Sequence, residues 1–284
     1  MKIIILGAGG QLGKSFFKNK LNNMEIIFFN KDDLNLLNYK LLEIKIAKYK
    51  PDFLINTAAF TNVDEAETNN ELAFEINSKS LVHLSQLCDK NDVCLIHFST
   101  EYVFEGNKNG SYVEDDDTNP LSIYGKSKLE GEINIKLNTK KYFIFRISWL
   151  FSNHHKSFVN KIINKGKSNE IINVVNDQFG KPMYSDELAK IIYDFIINYE
   201  NNNPKFGIYH ISAKGNICSW YEIAKFVSEY AKSKNIKFPK INKISSNQYK
   251  AIALRPKNSC LNDTKFKIIN EFNQINWKKH LVNM

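Results

Sequence analysis

The first thirteen residues leave this chain little choice of fold. Lys2-Ile3-Ile4-Ile5-Leu6 is a β-branched apolar run with no polar alternation. That is the pattern of a strand buried on both faces of a parallel sheet. Gly7-Ala8-Gly9-Gly10-Gln11-Leu12-Gly13 follows directly, and the spacing of Leu12, Phe16, Phe17 and Leu21 predicts a helix after it. Glycines at 7, 10 and 13 in a strand–turn–helix permit a tight turn, close backbone approach to a pyrophosphate and close helix–strand packing. The start of the helix adds unpaired N–H groups and a positive dipole end. A tight turn without a ligand is the plainer alternative, and the flanking strand and helix favour dinucleotide binding over it.

The same alternation continues. Apolar runs at 2–6, 25–29, 53–56, 93–98 and 142–147 interleave with helical patterns at 11–21, 38–49, 70–90 and 122–137. This predicts an α/β fold, a Rossmann-like doubly wound parallel sheet with helices on both faces. After Trp149 the pattern loosens, with helices expected at 155–166, 185–198 and 219–234 and short strands at 171–175 and 207–211. The expected division is an NAD(P)-binding Rossmann domain over 1–150 and a smaller, mixed substrate-binding region over 151–284. Part of 171–200 is expected to pack back on the first domain.

At 284 residues, 43% hydrophobic and 13% aromatic, the chain has material for a real core and is not a disordered sequence. It contains no apolar stretch of membrane-spanning length and no signal-peptide pattern, so no membrane partner is expected. Cys88, Cys94, Cys218 and Cys260 form no CxxC pair. They read as free thiols of a cytoplasmic protein. The net charge of +9 comes from lysines scattered among many Asn and Ile residues, without a nucleic-acid motif, so no nucleic-acid partner is expected either. No cluster has metal-ligand spacing: His154 and His155 are adjacent, a poor arrangement for holding one ion from a helix.

The chemistry concentrates between Leu95 and Lys128. An apolar strand ends in Ser99-Thr100-Glu101-Tyr102, and a polar loop leads to Tyr124-Gly125-Lys126-Ser127-Lys128. On a helix Tyr124 and Lys128 share one face, a turn apart. An ammonium near a phenol favours the phenolate, so a group with a pKa of about 10 can exchange protons with a carbonyl near neutrality. The hydroxyl of Thr100 is placed to bind the same substrate oxygen. Any lysine-rich helix yields this spacing, and it gains meaning from the glycine turn upstream. At the end of the second strand the chain reads Phe28-Phe29-Asn30-Lys31, without the acid that would repel a 2′-phosphate. NADPH is the expected cofactor, with NADH left open by Asp32 and Asp33.

Six blocks in one order resemble the dTDP-4-dehydrorhamnose reductase family of extended short-chain dehydrogenases/reductases. They begin at Ala58-Ala59-Phe60-Thr61-Asn62-Val63-Asp64-Glu65-Ala66-Glu67, Ser99-Thr100-Glu101-Tyr102-Val103-Phe104 and Tyr124-Gly125-Lys126-Ser127-Lys128-Leu129-Glu130-Gly131-Glu132. They continue with Arg146-Ile147-Ser148-Trp149-Leu150-Phe151, Asn176-Asp177-Gln178-Phe179-Gly180-Lys181-Pro182 and Arg255-Pro256-Lys257-Asn258-Ser259. The resemblance implies NAD(P)H-dependent reduction of the C4 ketone of a dTDP-linked sugar, completing dTDP-L-rhamnose for surface polysaccharides. It implies Tyr124 as general acid, Lys128 as its tuning partner and ribose contact, and Thr100 as the group orienting the ketone. The implied cofactor contacts are Gly7, Gly10, Gln11, Leu12, Gly13, Lys31, Asn35, Leu36, Ala58 and Ala59, besides Tyr124 and Lys128. The implied substrate contacts are Thr61, Val63, Thr100, Glu101, Tyr102, Trp149 as a platform for the deoxysugar, and Arg255 for the diphosphate. Asn77, a poor helix former inside a helical pattern, suggests a buried hydrogen-bonding role near the site.

Three positions depart from the family. Glu101 stands where Asp is usual, Asn35 where an Asp contacts adenine, and Phe60 where Tyr is commoner. The expected partners are a dTDP-linked 4-keto sugar and, as an option, a second copy in a homodimer. Two alternatives stay open: a reductase of another nucleotide-linked 4-keto sugar, and a non-catalytic regulatory subunit on the same fold.

Overall fold

The computed structural model describes residues 1–153, 157–168, 170–272 and 274–282. His154 and His155 lie outside the described residues.

Strand β1 (Lys2–Leu6) is buried on both sides, and its side chains alternate between two cores. Ile3 and Ile5 point with Phe53, Ile55, Phe143 and Phe145 into one core, closed by Leu12 and Phe16 of helix α1 (Gln11–Lys18). Ile4 and Leu6 point the other way. There they meet Leu42 and Ile46 of α2 (Tyr39–Tyr49) and side chains from two later helices. A period of two buried on both faces is the reason for the unbroken apolar run.

The sheet has six strands, all parallel. From one edge to the other they are Gly207–His210, β5 (Tyr142–Ile147), β4 (Cys94–Thr100), β3 (Phe53–Asn56), β1 and β2 (Glu25–Phe29). Because β1 lies between β2 and β3, the chain leaves it toward opposite edges. The crevice of such a sheet opens at that switch point, beyond the carboxyl ends of the strands. The glycine turn sits there.

The helix expected over 70–90 is broken into three pieces. After α3 (Val63–Thr68) come α4 (Asn70–Phe74), a π-turn over Glu75–Lys79, and α5 (Ser80–Lys90). The π-turn buries Asn77 and Ser78. Asn77 accepts from the Phe60 N–H at 2.8 Å and donates to the Phe60 carbonyl at 3.0 Å and to Ser127 at 3.0 Å. Ser127 lies on α6 (Ile123–Asn138), which runs so close to the π-turn that a Cβ on Gly131 would sit 2.1 Å from the Asn77 carbonyl oxygen.

Past β5, pairs of short strands build a third core around Phe151, Ile162, Ile172, Ile223 and Trp277. The helix expected at 155–166 is α7 (Phe158–Lys165). Helix α8 (Ser185–Ile197) returns to the first layer and lies on α1. Tyr193 of α8 donates to the Phe16 carbonyl at 3.0 Å and meets the Phe16 ring edge-on, and Lys18 pairs with Asp186 at 2.6 Å.

Candidate active site

The glycine turn is held by backbone packed on backbone. Gly7 has φ +78°, and a Cβ there would lie 2.6 Å from the Ala58 nitrogen beyond β3. A Cβ on Gly13 would lie 2.3 Å from the Gly7 carbonyl oxygen. Gly10 caps α1 with no side-chain acceptor, and no acid occupies the first turn. Gln11 keeps a buried side-chain N–H group with no hydrogen-bond partner among the described residues. An orphaned buried donor at an uncapped helix start fits a pyrophosphate. Leu12 belongs to the core beneath, and Ala58 and Ala59 are half-buried beside the turn.

At the end of β2 the Asn30 side-chain oxygen accepts the N–H groups of Asp32 and Asp33, at 2.7 and 3.1 Å. Lys31 is exposed there. Asn35 is also exposed, with its side-chain oxygen turned to the Leu37 N–H at 2.9 Å, whereas Leu36 is buried in the second core.

The seam between β4 and α6 gathers the candidate proton-transfer groups. Thr100 ends β4, buried, and its hydroxyl donates to Glu101 at 2.8 Å. Tyr124 lies in the first turn of α6, which Ser122 caps by accepting the Gly125 N–H at 3.1 Å. The Tyr124 phenol is close enough to Thr100 to feel its hydroxyl. Its ring meets Tyr102 edge-on at 5.4 Å. Gly125 allows the helix start to press on the preceding turn, since a Cβ there would be 2.3 Å from the Tyr102 carbonyl oxygen.

Lys128 is fully buried; its Nζ donates to the Phe98 carbonyl at 2.7 Å and lies 3.0 Å from His97 Nε2. Burial brings the Lys128 ammonium down to about 8, against the opposing charge of Glu132. Burial likewise raises the Tyr124 phenol, with Glu101 adding to the rise and Thr100 opposing it. The lowering of Tyr124 expected from the Tyr–Lys spacing is therefore not found in this arrangement: burial raises the phenol, and the lysine is turned to Phe98 and His97. Glu101 is pushed up to about 7 by burial, opposed by Thr100, its own backbone and Ser259, so this carboxyl can hold a proton near neutrality.

The expected substrate side chains divide into two groups. Thr100, Glu101 and Tyr102 belong to the seam. Thr61 is exposed, Val63 is half-buried at the start of α3, and Arg255 and Trp149 lie toward a second cleft. Arg255 makes a two-pronged pair with Asp64, at 3.0 and 2.7 Å, and this pairing holds the Asp64 carboxyl below its usual range. Arg255 lines a cavity of about 260 Å³ together with Lys161, Lys165, Gln178, Trp220 and Tyr249. Trp149 has φ +48°, stacks on Trp220 at 3.7 Å, and sits where a Cβ on Gly180 would touch its ring at 2.7 Å. Sequence reasoning missed His97, Lys161, Lys165 and Trp220. Only His97 left a signal, as a lone imidazole inside the apolar run Cys94–Phe98.

The family model described as RmlD substrate binding domain matches residues 1–284. A dTDP-4-dehydrorhamnose reductase of Aggregatibacter actinomycetemcomitans is 33% identical, covering 100% of this chain and 98% of its own length. Among solved structures, the dTDP-4-dehydrorhamnose reductase of Bacillus anthracis in complex with NADP is 34% identical with a TM-score of 0.91, covering 100% of this chain and 98% of that one. The corresponding enzyme of Clostridium acetobutylicum is 33% identical with a TM-score of 0.90 over the same shares. With a family match across all its residues and relatives aligned end to end, the chain belongs to the RmlD family of dTDP-4-dehydrorhamnose reductases.

Proposed function

We propose that this protein reduces the C4 ketone of dTDP-4-dehydro-L-rhamnose to give dTDP-L-rhamnose, using NADPH. The observation that carries the reading is the convergence of Thr100, Tyr124 and Lys128 at the carboxyl end of β4, on the same rim of the sheet as the glycine turn. When bound, the nicotinamide supplies the hydride. Thr100 holds the ketone oxygen, Tyr124 protonates it, and Lys128 in its charged form favours loss of that proton. Glu101 keeps an exchangeable proton beside Thr100. Residues 7–13, Ala58 and Ala59 hold the dinucleotide, and Lys31 meets the 2′-phosphate.

The sugar nucleotide lies along the second cleft. Lys161, Lys165 and Arg255 face its diphosphate, and the Trp149–Trp220 stack forms a wall. Residues 1–150 hold the cofactor and the groups that act on the ketone, and the region after them serves the rest of the substrate. Buried free cysteines suit a cytoplasmic setting, and no helix among the described residues is long and apolar enough to cross a membrane. A homodimer is the assembly to test, by the mass in solution.

Consumption of NADPH with purified protein and a panel of nucleotide-linked 4-keto sugars tests the activity, with the product identified by NMR. Turnover of dTDP-4-dehydro-L-rhamnose is expected. Preference for another 4-keto sugar would point to Glu101 and Phe60 as marks of a different pocket. Cofactor binding without turnover of any sugar would leave the regulatory subunit.

A further inference from the structure

One buried polar chain runs beneath the site and is not used in the reduction as described. Asn56 ends β3 and His97 stands beside it on β4, paired in register. Both are buried to within 1% of their surface, Asn56 after Phe53-Leu54-Ile55 and His97 between Ile96 and Phe98. The Ala58 N–H donates to the Asn56 side-chain oxygen at 3.0 Å. A backbone N–H can only donate, so that atom must be the carbonyl oxygen. The Asn56 NH₂ is then the group facing His97 Nδ1, at 3.2 Å. An NH₂ only donates, so Nδ1 carries the lone pair. The proton of the neutral ring is therefore on Nε2, 3.0 Å from Lys128 Nζ.

A charged ammonium has three donors and no acceptor. Facing an Nε2–H it would set donor against donor. A neutral amine accepts that proton through its lone pair and still donates to the Phe98 carbonyl. We infer that Asn56 and His97 are positioning residues: by locking the Nε2–H tautomer, they favour the neutral amine of Lys128 over its ammonium and so set the pH at which it charges. The lowering of Lys128 to about 8 and of His97 well below its usual value, both first by burial, agrees with this wiring.

The surrounding charges do not reverse it. On α6, Glu132 favours the ammonium but is held by Arg146 of β5 at 2.7 Å, and Tyr124 lies a turn earlier. Glu101 follows β4, and the π-turn presents Asn77 while its Glu75 and Lys79 pair with each other. The lock begins at Ala58, the residue pressed against Gly7, so the cofactor turn and the lysine share one line of hydrogen bonds.

The inference rests on the proposed reductase reading for its kinetic arm only. The direct test needs no turnover. In the full-length protein carrying nitrogen-labelled histidine, NMR should report His97 protonated on Nε2 and bare on Nδ1. Protonation on Nδ1 overturns the proposal even if the enzyme is active. For the kinetic arm, Asn56→Asp keeps the shape and gives Nδ1 an acceptor. That reverses the tautomer and turns the Nε2 lone pair toward Lys128. If the ammonium is the active form, activity falls as pH rises through the lysine pKa. Asn56→Asp should then move this alkaline limb of kcat/KM upward by about one to two pH units, the size of one charge-assisted hydrogen bond. His97→Gln, whose side chain can accept from the ammonium, should move the limb in the same direction. Limbs unchanged in a folded variant, or moved downward, overturn it. If wild type turns over no sugar, the reductase reading fails and the tautomer measurement still decides the lock.

Discussion

The seam between β4 and α6 and the cleft between α7 and Arg255 solve different problems with different materials. In the seam, Thr100, Glu101, His97 and Lys128 are almost wholly buried, and backbone approaches backbone at Gly125 and Gly131. In the cleft, Lys161, Lys165 and Tyr249 are exposed, and Trp220 and Arg255 are held by the side chains of Trp149 and Asp64. Groups that exchange a proton need fixed geometry, so they sit where nothing can yield. Groups that recognise a long, charged ligand sit where loops and side chains can adjust.

The largest effect should come from the seam. Tyr124→Phe removes one hydroxyl and should lower turnover by about 10²–10⁴-fold while leaving folding and cofactor binding intact, measured by steady-state kinetics beside cofactor titration. Near-normal turnover would remove Tyr124 as the proton donor.

A pair of glycine substitutions compares the two regions directly. Gly131→Ala drives a methyl into the Asn77 carbonyl, which is backbone and cannot step aside. Loss of about 1–3 kcal/mol is expected by denaturant unfolding. Gly166→Ala, at the end of α7, meets the Phe238 ring at 2.2 Å, a side chain that can turn. Its loss should be the smaller of the two, and the reverse order would contradict the contrast in rigidity.

Two carboxyls should give pH profiles of opposite sign. Glu101 is raised from 4.5 to about 7, so the folded protein binds its proton more tightly than the unfolded chain does. Its contribution to stability therefore declines as pH climbs through that window. Glu101→Gln should gain on wild type from pH 4.5 toward 7 and hold the gain above it. Asp64 is lowered from 3.8 by Arg255, so its contribution is present above that value and fades as pH falls through the lowered one. Asp64→Asn should lose stability near neutrality and recover in acid. Thermal unfolding against pH reads both, and parallel profiles would dissolve the distinction.

The smallest effect lies outside both regions. Lys31→Glu should raise KM for NADPH by a few-fold, roughly the worth of one exposed ion pair, and leave KM for NADH nearly unchanged. Equal effects on both cofactors would make Lys31 a solvated turn residue.

Legibility in the sequence followed the same divide. The glycine turn and the strands of the first half were readable because close backbone packing permits few residue types and doubly buried strands permit only apolar ones. The π-turn was not readable: its apolar spacing still looks helical, and only Asn77 hinted at the break. Asn56 and His97 are an end residue and a lone imidazole until the register of β3 and β4 brings them together. The pairing of Arg255 with Asp64 spans 191 positions and leaves no local trace. Strands of two residues, such as Leu150–Phe151 and Cys218–Ser219, are too short to carry a period. The helices Thr264–Ile269 and Trp277–Val282 drew no expectation at all.

The edge strand Gly207–His210 and helix α8 both reach the first layer from late in the chain. On the ribosome this order has a cost in time. Once β5 has emerged, its outer edge and the Phe16 side of α1 stay bare until those later segments follow, a wait of roughly 3–12 s at about 5–20 residues per second. An open strand edge beside apolar surface invites pairing with another chain. The nascent protein therefore passes through an interval in which its finished sheet is one strand short, and its yield in the cell depends on what shields that edge meanwhile.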